Sequence, residues 1–187
     1  YNISVNDGFR ASANTLWVSN YAGPNRDISS DENYIYNNSV FVGGNNTPDI
    51  LIRGVNTYVY NNVFYTADQA KIGQSTLNIP LDGGKLTVDN NRYFGDINSA
   101  FTDLDPNARF ENPRYDNPGA LEAEGYQIRA GSPVLNHSIN FTEPLFPEAG
   151  NGVFMNVTEK ATEDFFGNTV DLSMTPHLGA FNGDPIA

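Results

Sequence analysis

The chain has 187 residues, a formal net charge of −12 and no cysteine. This acidity makes nucleic acids and anionic membranes poor partners, and the lack of cysteine excludes disulfides and thiolate chemistry. No apolar run approaches the roughly 18 residues of a membrane span. Asparagine occurs 26 times beside 17 glycines and 11 prolines, a composition that favours strands and turns over helices.

Short apolar runs separated by turn residues predict a series of short strands. In chain order they cover residues 2–5, 15–18, 34–36, 49–52, 57–61, 63–65, 76–79, 85–90 and 92–94. The turns between them carry Gly-Pro, Asp-Gly or Asn-Asp pairs, which break regular structure. At 187 residues the chain is expected to form one domain.

A repeat organises these strands. Asn33, Asn62 and Asn91 follow one another at a spacing of 29 residues, and apolar residues recur two places after each. A fixed period of this size predicts stacked repeats, here with three strands and three bends in each unit and three parallel sheets overall. Asparagine tolerates the left-handed backbone of a tight corner, and its amide can bond to the amide one repeat away. The asparagines are therefore interpreted as structural corners.

The period is lost after residue 98. Residues 99–187 hold eight of the eleven prolines and no further copy of the repeat. We therefore predict repeat units over 1–98, and an irregular C-terminal cap of the same domain over 99–187, covering the last unit. Repeat proteins need such caps because the terminal unit otherwise exposes apolar surface and unpaired strand edges.

Four phrases of this tail resemble a known family. They are FENP at 110–113, GYQIRAGSPVL at 125–135, DFFGN at 164–168 and HLGAF at 177–181. Together with the asparagine corners they resemble the closing segment of secreted bacterial right-handed parallel β-helix proteins of the pectate-lyase-like superfamily. His177 departs from the acidic residue usual there, and no acidic residue follows Phe181.

The resemblance implies an all-β fold: a right-handed parallel β-helix of about three turns with asparagine corners, followed by the cap. It also implies a secreted, periplasmic or cell-surface location. Further turns are expected upstream, so an upstream portion of the same protein is an expected partner. A polysaccharide is the expected substrate, and a polysaccharide lyase is the leading expectation, with a glycoside hydrolase or a non-catalytic glycan-binding protein as alternatives.

Lyase chemistry on uronate polymers needs cations to neutralise the carboxylate and a base to remove the α-proton. In the family these groups lie outside the first sheet and on its flanking loops. Arg53 and Lys71 are thereby the candidate catalytic residues, and Arg10 and Lys85 candidate substrate-binding residues. The alternative is that all four are solvated surface charges.

Aromatic side chains supply a second set of substrate-binding candidates, because they stack on sugar faces. Trp17, Tyr21 and Tyr58 are the candidates, with core packing as the alternative for each. The sequence has no G-x-S-x-G, P-loop or Rossmann fingerprint, and His137 and His177 lack the neighbours of a zinc site.

Carboxylates supply the remaining possibilities. A hydrolase would need two or three converging acids, and Asp49, Asp68 and Asp82 flank the first predicted sheet, although turn roles explain them more simply. Ca²⁺ is a possible cofactor. Asp103 and Asp105 are separated by one residue, a spacing at which both could supply oxygen ligands to Ca²⁺. Capping of a turn is again the simpler interpretation.

Overall fold

The structure is a computed structural model that describes residues 1–8, 13–19, 30–73, 77–78, 85–139, 152, 155, 161–171 and 173–187. This part of the chain is almost entirely strand, turn and irregular segment. Its helices are α1 (Ser99–Thr102) and one 3₁₀ turn, Ala123–Tyr126. None of the helices in these residues is long and apolar enough to cross a membrane.

Twelve short strands are present in the described residues. They are β1 (Ile3–Val5), β2 (Asn14–Val18), β3 (Asp31–Tyr36), β4 (Ser39–Val42), β5 (Asp49–Ile52), β6 (Val55–Tyr60), β7 (Val63–Thr66), β8 (Lys71–Ile72), β9 (Leu77–Asn78), β10 (Leu86–Asp89), β11 (Arg92–Phe94) and β12 (Asp96–Ile97). Each predicted strand has a counterpart among them.

The strands form four parallel sheets, ordered β1-β4-β7-β11, β3-β6-β10, β2-β5-β9 and β8-β12. Neighbours in each sheet are equivalent strands of successive repeat units. The prediction of an all-β protein with stacked parallel strands is confirmed, but the described residues form a fourth sheet, β8-β12, beside the three that were predicted.

Side chains of sheet β1-β4-β7-β11 alternate between two cores. The three larger sheets all contribute to the first, which α1 closes with Phe101. Its buried residues are Leu16, Val40, Val42, Ile50, Ile52, Val59, Phe64, Ala70, Ile72, Val88, Tyr93 and Phe101. The second lies on the other face of β1-β4-β7-β11, where the tail packs, and contains Phe41, Val63, Tyr115, Tyr126, Ile128, Val134, Leu178 and Phe181. Much of the tail therefore covers the side of this sheet as well as the last unit.

The repeat register differs from the predicted one. Ser39 pairs with Val63, a separation of 24 residues, and Val63 pairs with Arg92, a separation of 29. Asn33 lies inside β3 opposite Thr57 and is not a corner. Its predicted role belongs to Asn38, and β4, which the 29-residue alignment missed, follows directly.

Each corner is a pair of asparagines with divided roles. The first of each pair, Asn37, Asn61 or Asn90, has a left-handed backbone with φ of 51°, 58° and 55° respectively. The second amides stack as a ladder, in which the backbone and side-chain N–H groups of one asparagine donate to Oδ1 of the next. The ladder runs Asn2, Asn38, Asn62, Asn91, with donor–acceptor distances of 2.9–3.1 Å. It ends on the carboxylate of Asp105.

Candidate functional site

The outward face of sheet β2-β5-β9 carries an exposed aromatic ring beside a cation. Leu16, Ile50 and Ile52 point into the first core, so the alternating residues Trp17, Leu51 and Arg53 point outward. The Trp17 side chain is 67% exposed, which excludes the core-packing alternative for this residue. We call Trp17, Leu51 and Arg53 the Trp–Arg face.

Strand register places the Trp–Arg pair close together. Trp17 pairs with Leu51, and the Arg53 amide donates to the Val18 carbonyl at 2.8 Å. Arg53 therefore lies two residues, or about 7 Å, beyond the partner of Trp17 along the strand. An aromatic plane next to a guanidinium suits an acidic sugar, because the ring packs on the sugar face and the cation pairs with its carboxylate.

Lys71 lies elsewhere on the molecule. It begins β8, and its Nζ is 3.0 Å from Oδ2 of Asp96, its register partner on β12. Both side chains are about half exposed, and such pairs contribute about 0–1 kcal/mol to stability. Lys71, Asp96 and Asn98 line an open groove of about 390 Å³.

Arg53 and Lys71 are not neighbours. The amide of Gly73 donates to the carbonyl of Pro48, the residue before β5. Lys71, two residues before Gly73, therefore lies beside the segment that leads into β5. Arg53 follows the end of the same strand. The two predicted catalytic residues thus flank opposite ends of β5, and the structure does not bring them together on one reacting atom.

Tyr58 lies on a different surface from Trp17. It is on β6, where its ring stacks on that of Tyr34, with centroids 4.8 Å apart and planes inclined by 13°. Lys85 precedes β10 and is exposed, two residues before Thr87, the register partner of Tyr58. Of these two predicted substrate-binding residues, Tyr58 lies in sheet β3-β6-β10 and Lys85 lies directly before its strand β10. Arg10 and Tyr21 lie outside the described residues.

Two of the three carboxylates predicted for a hydrolase, Asp49 and Asp68, lie in the described residues, and both occupy structural positions. Asp68 has a left-handed backbone (φ 59°), and its Oδ2 accepts from the Gly44 amide at 3.0 Å, which is a turn role. Asp49 begins β5. Asp82 lies outside the described residues.

The carboxylate of Asp105 does not fit a Ca²⁺ ion. It is 5% exposed and accepts five hydrogen bonds from N–H and O–H donors of the corner and its own turn. A cation would meet these donors instead of free lone pairs. Within the described ranges, no group of three acidic, histidine or cysteine side chains is arranged to hold a metal ion.

Sequence reasoning missed Arg92 as a candidate. It begins β11 at the position that Ser39 and Val63 occupy in the preceding units, yet its side chain is only 2% exposed. The sequence did contain a signal for Arg92: it is a charged residue at a repeat position that holds a small or apolar residue, Ser39 or Val63, in the other units.

The chain matches no protein-family model, and comparison with curated proteins finds no match. The fold defines the class as an all-β protein of stacked parallel strands. What it does has to be inferred from its own residues and their geometry.

Proposed function

We propose that the chain is a right-handed parallel β-helix and forms the C-terminal part of a secreted carbohydrate-active protein. Support for the helix comes from the parallel register of equivalent strands and from the asparagine ladder that joins successive units. Support for the function comes from the resemblance of the tail phrases and from the Trp–Arg face.

The proposed ligand is an acidic polysaccharide, bound on the Trp–Arg face. The observation that carries this proposal is the exposed indole of Trp17 in register beside the exposed Arg53. A flat indole with a polar N–H edge is a suitable surface for the face of a sugar ring. The guanidinium supplies the positive charge that an otherwise acidic protein needs locally for a uronate chain.

The leading reaction is β-elimination. A base removes the proton α to the carboxylate, the electron pair of that C–H bond forms a double bond to the β carbon, and the bond from the β carbon to the glycosidic oxygen breaks. That oxygen takes up a proton and becomes the hydroxyl of the new chain end. Arg53 would neutralise the carboxylate and so acidify this proton. The second candidate is non-catalytic glycan binding, which the position of Lys71 favours, because that base is paired with Asp96 and separated from Arg53 by β5.

Binding is tested first, with oligogalacturonate as the acidic probe and its carboxyl-reduced form as the neutral control. We expect Trp17→Ala and Arg53→Gln each to weaken binding of the acidic probe roughly tenfold, since each loses a contact of about 1.4 kcal/mol. Arg114→Gln, an exposed arginine of the tail, is the matched control and should bind as the wild type does. Unchanged affinity in both face variants, measured by calorimetry, would remove the proposed site.

The reaction is tested separately on the same polymers. Elimination produces an unsaturated uronate that absorbs in the ultraviolet, whereas hydrolysis produces reducing ends without that absorbance. Elimination lost in Arg53→Gln would support the lyase. Binding without either product would support the non-catalytic candidate.

A further inference from the structure

The Trp–Arg face carries a carboxylate at the end of β5 opposite to Arg53. The residues of β5 alternate in burial, and its two isoleucines point into the first core at 1% exposure each. Asp49, Leu51 and Arg53 therefore project to the outward face of the sheet. The Asp49 amide donates to the Ala13 carbonyl at 2.9 Å, which fixes the backbone at this point. The position that starts the strand thus also places the Asp49 side chain on the face that Trp17 shares.

The face is polar along the direction of the strand. Trp17 is the register partner of Leu51, so these two side chains form an aromatic and apolar centre. Asp49 and Arg53 lie two residues to either side of Leu51, about 7 Å away in each direction. An acid and a base therefore flank the centre at opposite edges, about 13 Å apart.

This polarity distinguishes between two kinds of acidic glycan. A uronate stacked on Trp17 pairs through its carboxylate with Arg53. In an extended glycan, successive sugars turn their substituents to opposite edges of the chain, so the carboxylate of a second, consecutive uronate faces Asp49. Like charges repel there, whereas the hydroxyl and amide groups of a neutral sugar donate hydrogen bonds to a carboxylate.

We propose that Asp49 is a specificity-determining residue, and that the glycan of the Trp–Arg face is one in which uronates alternate with neutral sugars. Asp49 thereby refines the acidic-glycan site proposed above, on which its role depends. Arg53 selects the acidic sugar, and Asp49 selects a neutral sugar next to it by repelling a second carboxylate. The net charge of −12 adds to the rejection of a continuous uronate chain.

Two hexasaccharides test the proposal by calorimetry: hexagalacturonate, and one in which glucuronate alternates with N-acetylglucosamine. The wild-type chain should bind the alternating probe about tenfold more tightly. Asp49→Asn should bind hexagalacturonate about three- to tenfold more tightly than the wild type does, because the repulsion is removed. Its affinity for the alternating probe should not rise, since asparagine also accepts a hydrogen bond. Asp103→Asn removes an exposed carboxylate elsewhere, with the same change in net charge, and should leave both affinities at the wild-type values.

The result that overturns the role of Asp49 differs from the one that overturns the site. If Trp17→Ala and Arg53→Gln weaken binding but the wild type binds hexagalacturonate at least as tightly as the alternating probe, the site stands and the role of Asp49 falls. The role also falls if Asp49→Asn and Asp103→Asn shift the two affinities equally. If neither probe binds, or if Trp17→Ala and Arg53→Gln leave binding unchanged, the site falls and the role of Asp49 falls with it. If Asp49→Asn does not fold, Asp49→Ser and the preference of the wild type still decide the question.

Discussion

Asp105 is predicted to be the most sensitive carboxylate of the described chain, because it terminates the asparagine ladder. Its Oδ1 accepts from the amides of Asn90 and Asn107, each at 2.9 Å. Its Oδ2 accepts from the backbone and side-chain N–H of Asn91, both at 2.9 Å, and from the Tyr93 hydroxyl at 3.1 Å. Only an acceptor without hydrogens can satisfy donors on both oxygens at once.

Asp105→Asn keeps the shape and replaces one acceptor by an NH₂ group. If the amide nitrogen takes the Oδ2 place, the backbone N–H of Asn91 loses its acceptor. If it takes the Oδ1 place, the amides of Asn90 and Asn107 lose theirs. Each buried donor left unsatisfied costs about 1–3 kcal/mol. The remaining hydrogen bonds also become weaker, because their acceptor is no longer charged, so we expect destabilisation by about 2–4 kcal/mol.

Urea unfolding measures this loss as a lower midpoint with an unchanged slope. Asp103→Asn is the matched control. Asp103 lies two residues before Asp105 and its side chain is exposed, so the variant removes the same charge and should change the free energy of unfolding by less than about 0.5 kcal/mol. Equal stability of the two variants would refute the view that Asp105 holds the ladder end.

Three further predictions concern the corners, one glycine and one histidine. Asn61→Ala should lower the free energy of unfolding in urea by about 3 kcal/mol, and Asn61→Gly should lower it by about 1 kcal/mol less. Both variants lose the buried hydrogen bonds of the amide, but only alanine strains the left-handed backbone (φ 58°). Equal losses in the two variants would contradict this reasoning. By the same assay, Gly95→Ala should destabilise the protein by about 2 kcal/mol more than Gly44→Ala. A Cβ at Gly95 would lie 2.5 Å from the carbonyl oxygen of Thr66 on β7, whereas a Cβ at Gly44, which also has a positive φ, would meet open space. Burial lowers the pKa of His177 below its ordinary 6.5, and its Nδ1 accepts from the Asn136 amide. The unfolded chain therefore takes up the proton first, and the native state should lose stability as pH falls from about 6.5 toward 5. His177→Asn, which offers an oxygen acceptor there, should flatten this loss; an unchanged pH profile of Tm would show that His177 does not cause it.

The strands could be predicted from sequence because their apolar runs are local, but their register could not. The loops of successive units differ in length, so that strand pairs are 24 residues apart in one step and 29 in the next. A single period of 29 aligned Asn33 with Asn62 and hid β4. The phrase Tyr-X-Tyr-Asn-Asn, at 34–38 and again at 58–62, contained the correct alignment.

The candidate site was predictable only in part, for a similar reason. Alternation along β2 and β5 is a local pattern, and it places Trp17 and Arg53 on one outward face once the strands pair. Whether Lys71 shares that face depends on loop paths, which composition does not determine. The burial of Arg92 accompanies its pairing with the tail segment around Arg109 and Glu111, which no local pattern of the sequence reveals.

The tail and the asparagine corners form one hydrogen-bonded unit. Asn37 Nδ2 donates to the His177 carbonyl at 2.9 Å, and Asn90 Nδ2 donates to the His137 carbonyl at 2.7 Å. Between them, the Asn61 side chain exchanges two bonds of 2.9 Å with the backbone of Ile139. Detaching the tail would therefore leave buried amides of three successive repeat units without partners, at about 1–3 kcal/mol each. Loss of several such bonds together is comparable to the whole stability of a domain, so the repeat units and the tail should unfold in a single transition.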